Sequence, residues 1–164
     1  MNSKKLFIWG FLFMSVIGTL LHFVYEWSGN NSIVRLFAPW NESTWEHMKL
    51  LFFPMLALVL FLFFKLPEQS PIPVALSIGT LVGLALIPIL FYTYTGVLGF
   101  SVMAIDIAIF YISVLGIFLT GWFLKDNRKL ANRNGLLLTC LVILAILFFI
   151  FSYYPPEIGL FQEP

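Results

Sequence analysis

Five long apolar runs dominate the sequence, each close to the roughly 20 residues that a helix needs to cross a bilayer. Short segments rich in Pro, Gly, Asn and charged residues separate them. Charged residues make up only 10% of the chain and hydrophobic residues 60%, whereas a soluble domain is about a quarter charged. We therefore predict an all-α fold, a polytopic membrane bundle that forms a single transmembrane domain over residues 1–164. The expected helices cover about residues 5–27, 44–65, 73–95, 100–124 and 136–154.

The lysines and arginines predict the orientation, because cytoplasmic loops carry an excess of these residues. A cytoplasmic N-terminus puts only Arg35 and Lys49 outside. The C-terminus is then outside as well, which makes the chain N-in and C-out. The cations assigned to the inner side are Lys4, Lys5, Lys65, Lys125, Arg128, Lys129 and Arg133.

The composition excludes several classes of protein and of site. A net charge of +1 with no basic stripe excludes nucleic-acid binding. The single Cys140 excludes a disulfide framework, a thiolate-rich zinc site and an iron–sulfur cluster within one chain. The expected partners are the lipid bilayer and either further copies of the chain or a larger membrane complex. The short connections predict antiparallel neighbours, above all the third and fourth helices, which are joined around Gly96 and Gly99.

The polar residues are distributed unevenly along this topology. Both histidines and six of the eight acids fall in or beside the outer leaflet. Ionisable residues within membrane helices are costly and usually face protein or a wet cavity. The residues that we take as site candidates are His22, Glu26, Glu42, Glu46, His47 and Asp106.

His22 and Glu26 are four residues apart on the first helix and therefore share a face. Such a pair can bind one metal ion, or the carboxylate can orient the imidazole for proton transfer. The alternative is a hydrogen bond that only stabilises the end of the helix.

The segment Pro39–Lys49 has the highest density of polar residues. Ser43 followed by Glu46 fits a capping box that begins the second helix, and Lys49 can neutralise a carboxylate on the same face. Neither interpretation accounts for Glu42 and His47. The tryptophans of this region are expected as interfacial anchors, namely Trp27, Trp40 and Trp45.

Two further charges are isolated in the sequence. Asp106 has no basic neighbour, so its partner must come from another helix. Lys49, His22, His47 or a bound cation are the candidates, and the role of Asp106 is either a structural pair or part of a site. Arg35 is expected to be a solvated charge of the outer connection, or a contact for an anionic headgroup.

Three motifs carry a family resemblance. They are His22-xx-Tyr25-x-Trp27-Ser28-Gly29, Asn41-Glu42-Ser43-x-Trp45-Glu46-His47-x-Lys49 and Tyr154-Pro155-Pro156-xxx-Leu160-Phe161. The chain resembles an uncharacterised bacterial family of five-helix integral-membrane proteins, a domain of unknown function with an NESxWEHxK motif. The resemblance covers almost the whole chain. It implies a location in the bacterial inner (plasma) membrane and carries over no activity.

The residues favour a binding or catalytic site that opens outward. A divalent metal such as zinc would use His22, Glu26, Glu42, Glu46, His47 and Asp106 as ligands, and the candidate catalytic residues are His22, Glu26, Glu46 and Asp106. A metal-bound water could hydrolyse a lipid or peptide near the outer interface. The alternatives are a transporter of a small solute or of protons, and a non-catalytic membrane subunit.

Overall fold

The computed structural model describes residues 2–164, except for the side chains of residues 132–134. It contains five α-helices, each long and apolar enough to cross a membrane, and no strand in the described part of the chain. The all-α prediction is confirmed, while the side of the membrane that each terminus faces stays a prediction. The helices are α1 (Ser3–Trp27), α2 (Thr44–Lys65), α3 (Ile72–Leu98), α4 (Met103–Leu124) and α5 (Asn134–Tyr153).

The turn between α3 and α4 lies slightly later in the chain than the hydropathy pattern predicts. The third helix continues to Leu98, and Gly99 ends it in the left-handed region with φ 81°, a conformation that glycine adopts without steric cost. Val102 is extended and precedes the first turn of α4. The predicted start of the fourth helix at residue 100 is therefore three residues early.

The closest helix pair is α3 with α4, as the short connection predicts. Glycine permits this approach, because a Cβ atom added at Gly79 would lie 2.4 Å from the carbonyl oxygen of Ile117. At Gly83 it would lie 2.6 Å from the Ile117 side chain. The absence of a side chain at these positions lets the two backbones pack against each other.

Large aromatic and aliphatic side chains fill the centre of the bundle. Phe52 and Met55 of α2, Ile117 of α4 and Phe148 of α5 are completely buried. The opposite surface of α1 is apolar and exposed, with 68% of Trp9 accessible. Exposed apolar residues on helices of this length are those expected to contact lipid.

Successive helices run in opposite directions, so the bundle has two ends that carry different residues. At one end α1, α3 and α5 finish and α2 and α4 begin, together with the two connections and the C-terminal segment. We call this the polar end, because all six site candidates lie there. A short 3-10 turn, Val34–Leu36, crosses it between α1 and α2.

Candidate functional site

The start of α2 organises the polar end. The Ser43 hydroxyl accepts a hydrogen bond from the Glu46 backbone N–H at 3.4 Å, so the predicted N-cap is confirmed. The reciprocal half of the capping box is different, because the Ser43 N–H donates to the side chain of Asn41 at 3.1 Å. The carboxylate of Glu46 is thereby free for other partners. Glu42 directly precedes the cap, and His47 follows it within the first turns of the helix.

Three side chains from different elements meet beside this cap. His22 lies near the end of α1, Glu42 in the connection and His47 in α2. One possible ligand atom from each residue lies within 4.8 Å of the other two. The His47 Nε2 atom is 3.3 Å from Glu42 Oε2, and the two imidazole rings are 5.3 Å apart between centroids. We call these three residues the His/Glu cluster.

Backbone contacts orient the ring of His47. Its Nδ1 atom lies 3.0 Å from the carbonyl oxygen of Ser43, and a carbonyl only accepts, so we assign a hydrogen to Nδ1. The Nε2 atom then faces the Glu42 carboxylate. Two acceptors at this distance attract each other only through a proton or a bound cation. A histidine whose other nitrogen donates to a carbonyl is the usual arrangement of a metal ligand.

The other two members of the cluster also carry possible ligand atoms. In the metal-free protein a protonated His47, which donates from Nε2, holds the pKa of Glu42 below its ordinary value of 4.5, against the opposing effect of partial burial. The carboxylate is thus ionised at neutral pH, as a metal ligand requires. The Nδ1 atom of His22 is shielded from solvent and has no hydrogen-bond partner among the described residues.

An open pocket of about 300 Å³ lies against the cluster. Its acids are Glu26 and Glu42 and its histidine is His22, and among the described residues no lysine or arginine lines it. Glu26, one turn beyond His22, faces this pocket but is not within ligand distance of the three clustered atoms. The remaining lining residues are Phe23, Tyr25, Asn30, Pro39, Trp40 and Asn41.

Glu46, a proposed catalytic and metal-binding residue, lies in a separate cluster. Its Oε2 atom is 2.6 Å from Lys49 Nζ and accepts from the Trp40 backbone N–H at 3.3 Å. Its Oε1 atom is 3.2 Å from the Ser152 hydroxyl. Both carboxylate oxygens of Glu46 therefore have partners outside the His/Glu cluster. Glu46 is not among the described residues whose possible ligand atoms converge with those of the two histidines.

Lys49 forms the centre of this second cluster and is completely buried. Its ammonium donates to Glu46, to the Arg35 carbonyl oxygen at 2.8 Å and to the Ser152 hydroxyl. These contacts link α2, α5 and the connection that carries Glu42. The prediction that Lys49 neutralises a carboxylate is confirmed. Ser152 was not singled out in the sequence, because a lone serine 103 residues away gives no pattern.

Two predictions for the aromatic and basic residues of this end are wrong. Arg35 is not a solvated loop charge: its Nη2 donates to the Ser152 carbonyl oxygen at 2.6 Å, and its guanidinium lies 3.7 Å from the centroid of Trp40. Trp45 is not an interfacial anchor, since only 7% of it is exposed. It packs against Phe148 and, in the C-terminal segment, Phe161. Both side chains are thus used for contacts within the protein.

Asp106 has a partner on α3 that no spacing pattern in the sequence indicates. The Tyr94 hydroxyl of α3 donates to its carboxylate and accepts from the Val102 backbone N–H at 3.0 Å. This pair closes the turn between α3 and α4. Asp106 is not among the described residues whose possible ligand atoms converge in the His/Glu cluster.

The whole chain, residues 1–164, matches the family model described as a family of unknown function (DUF6512). The chain belongs to this family. No curated protein and no solved structure matches it. Membership of DUF6512 agrees with the resemblance to an uncharacterised family, while the bacterial origin and the motif as a family signature remain predictions.

For this DUF6512 chain the six candidates thus separate into three groups. His22, Glu42 and His47 come together, Glu26 lines the adjacent pocket, and Glu46 and Asp106 are engaged by Lys49 and Tyr94, respectively. Side-chain distances and hydrogen-bond partners separate the three groups.

Proposed function

We propose that this DUF6512 protein binds one divalent transition-metal ion, with zinc the best match, in the His/Glu cluster. We further propose that the metal activates a water molecule for hydrolysis near the outer membrane interface. One observation carries the proposal: ligand atoms of His22, Glu42 and His47 converge within 4.8 Å although they come from three different elements. Zinc accepts imidazole nitrogen and carboxylate oxygen as ligands.

The number of ligands supports a catalytic role over a purely structural one. Structural zinc sites are closed by four protein ligands, whereas catalytic sites use three, including sets of two histidines and one glutamate, and leave a position for water. The cluster supplies three and borders an open pocket. A metal in this position would lower the pKa of its bound water and make a nucleophile near neutral pH.

Glu26 is the proposed general base. It lines the pocket beside the cluster and takes part in no salt bridge within the described residues. A carboxylate next to a metal-bound water can accept its proton. Glu46 and Asp106 are left out of the proposed site, because Lys49 and Ser152 hold the first carboxylate and Tyr94 holds the second.

The observations favour such a site over a conduction pathway. Transport would need polar groups that continue toward the other end of the bundle. The buried hydroxyls there include Ser77 and Thr80 of α3, and they donate to the carbonyl oxygens of Pro73 and Leu76 in their own helix. The proposal also includes the N-in orientation, which the distribution of lysine and arginine supports. It includes a bacterial inner-membrane location as well, which the family resemblance supports.

The test is the metal content of the purified protein. Wild type, His22→Ala, His47→Ala and Glu157→Gln are loaded with zinc in detergent, dialysed and measured by elemental analysis. We expect about one zinc per chain in wild type and Glu157→Gln, and much less in the two histidine variants, since three ligands define the site. Glu157 is an exposed acid of the C-terminal segment and controls for the charge change.

Thermal unfolding provides a second readout. Zinc at about 100 times its Kd should stabilise a folded binding site by about 2.7 kcal/mol, so the Tm of wild type rises while that of the histidine variants does not. Substoichiometric zinc in wild type without a Tm shift would overturn the metal assignment. A bound zinc with no hydrolysis of ester, phosphodiester or peptide probes would overturn the hydrolytic half alone.

A further inference from the structure

The pocket beside the His/Glu cluster is larger than a hydrated metal ion needs. Its volume is about 300 Å³, whereas one water occupies roughly 30 Å³. This volume is at the lower end of the range for small-molecule sites. The space therefore fits a small organic molecule or a single lipid headgroup.

The charges of the pocket restrict what it can bind. Its acids are Glu26 and Glu42, and the two nearby cations are turned to other partners: Arg35 to Trp40 and the Ser152 carbonyl, Lys49 to Glu46. A divalent ion on the cluster would offset the charge of Glu42. Glu26 would then remain as the one acidic wall without a countercharge among the described residues.

A ligand that satisfies both features must carry two different groups. Oxygen donors are needed at the metal, as for phosphate or carboxylate ligands, and a cation is needed at Glu26. An ammonium group next to a carboxylate makes a charge-assisted hydrogen bond, and amides at Asn30 and Asn41 add further polar contacts to the same walls.

The position of the pocket agrees with the headgroup layer of a membrane. Trp27 is 67% exposed and Phe23 43% exposed at the same end of α1, and such aromatic residues lie at the membrane–water interface. Phe23 is itself part of the pocket wall. A molecule in this pocket would thus be level with lipid headgroups.

We propose that the pocket binds a small zwitterion of the phosphoethanolamine type, with its phosphoryl oxygens toward the metal. Its ammonium group lies against one oxygen of the Glu26 carboxylate, and the other oxygen remains for the proton of the metal-bound water. The inference rests on the proposed function for the metal half, while the ammonium half depends on Glu26 alone. The ligand is either a phospholipid headgroup or a free molecule of the same chemistry.

The test compares two phosphate esters of similar size. Isothermal titration measures O-phosphoethanolamine and glycerol 3-phosphate on zinc-loaded wild type, Glu26→Gln and Glu157→Gln at one ionic strength. We expect wild type to prefer phosphoethanolamine about tenfold, because the ammonium group adds one charge-assisted contact. The preference should disappear in Glu26→Gln and persist in Glu157→Gln.

Equal affinity of wild type for the two esters would overturn the inference, as would an equal loss of preference in both variants. Glu26 is exposed, so its substitution should leave the fold intact, and the Tm of each variant verifies this. One zinc per chain without any preference for phosphoethanolamine would overturn this inference and leave the proposed function standing.

Two further arms separate the two proposals and the two ligand sources. Ethanolamine titrated into zinc-free protein isolates the ammonium half: weaker binding to Glu26→Gln than to wild type supports it even if the metal assignment fails. Nanodiscs of phosphatidylethanolamine or phosphatidylglycerol are then used as competitors. If only the phosphatidylethanolamine nanodiscs displace the soluble ester, the ligand is the lipid headgroup. If neither kind of nanodisc displaces it, the ligand is the free molecule.

Discussion

The ammonium of Lys49 lies 2.6 Å from the carboxylate of Glu46, three residues earlier in α2, and both side chains are almost completely buried. Removing two charges from water is costly, and their mutual attraction compensates only when further hydrogen bonds satisfy the remaining donors and acceptors. Here the Arg35 carbonyl and the Ser152 hydroxyl do so. The pair joins α2 to α5 and to the connection between α1 and α2.

Lys49→Met should therefore destabilise the protein by about 3–5 kcal/mol, because it leaves the Glu46 carboxylate buried without a countercharge. Combining it with Glu46→Leu should recover most of that loss, since neither charge then remains. Chemical denaturation in detergent measures the free energies. Lys65→Met, at the exposed opposite end of the same helix, is the control. An equal loss of unfolding free energy in Lys49→Met and Lys65→Met would contradict this account.

The same pair should affect metal binding from a distance. Lys49 holds the Arg35 carbonyl and Glu46 holds the Trp40 N–H, so both act on the connection that carries Glu42. Loss of such supporting contacts typically lowers metal affinity about 10- to 100-fold. Zinc titration of the Glu46→Leu, Lys49→Met double variant measures this, because its stability is largely restored. Unchanged affinity would show that Glu42 is positioned without this network.

The stability of the metal-free protein should depend on the ionisation of Glu42. The folded pKa of this carboxyl lies below its ordinary 4.5, so its contribution is fully present above about pH 4.5 and is lost as the pH falls through the lower, folded value. The effect is small, because 67% of the side chain is exposed. The Tm difference between wild type and Glu42→Gln in chelator should shrink toward pH 3. A difference that grows on acidification would reverse the assigned sign.

Gly18 permits the close approach of α1 to α2 one turn before His22. A Cβ atom there would lie 2.5 Å from the ring of Phe110 and 2.8 Å from the backbone oxygen of Leu50. Gly18→Ala should cost about 1–3 kcal/mol through overpacking and should weaken zinc binding by displacing His22. Gly96→Ala meets open space inside α3 and should be neutral or stabilise the protein by up to about 1 kcal/mol. Equal Tm values for the two variants would contradict the tight contact.

Tyr94 should stabilise the turn between α3 and α4 through its two hydrogen bonds. Tyr94→Phe removes the bond to Asp106 and leaves the Val102 N–H without its acceptor, so we expect a loss of about 0.5–1.5 kcal/mol per bond. Tyr92→Phe, at an exposed position, is the matched control. Thermal unfolding compares them, and a Tyr94→Phe variant as stable as Tyr92→Phe would show that water replaces both contacts.

The helices were predictable because their signals are local. Apolar length predicts each span, and Ser43 predicts the start of α2, since an N-cap involves atoms only three residues apart. The predicted end of α3 is three residues early, because hydropathy falls at the polar residues 92–96 while the helix continues to the left-handed Gly99. The concentration of acids and histidines at one end of the bundle likewise followed from helix order alone.

The sequence by itself determined the five-helix architecture and the set of six residues from which a site could be built. Only the tertiary structure decided how they divide, because partners such as Ser152 and Tyr94 come from distant helices and leave no spacing pattern. What divides the carboxylates is whether a donor outside the His/Glu cluster holds them. Lys49 engages Glu46, Tyr94 engages Asp106, and the Glu42 carboxylate is left facing His47. Helix packing thus selects the candidate metal ligands from acids that are chemically equivalent in the sequence.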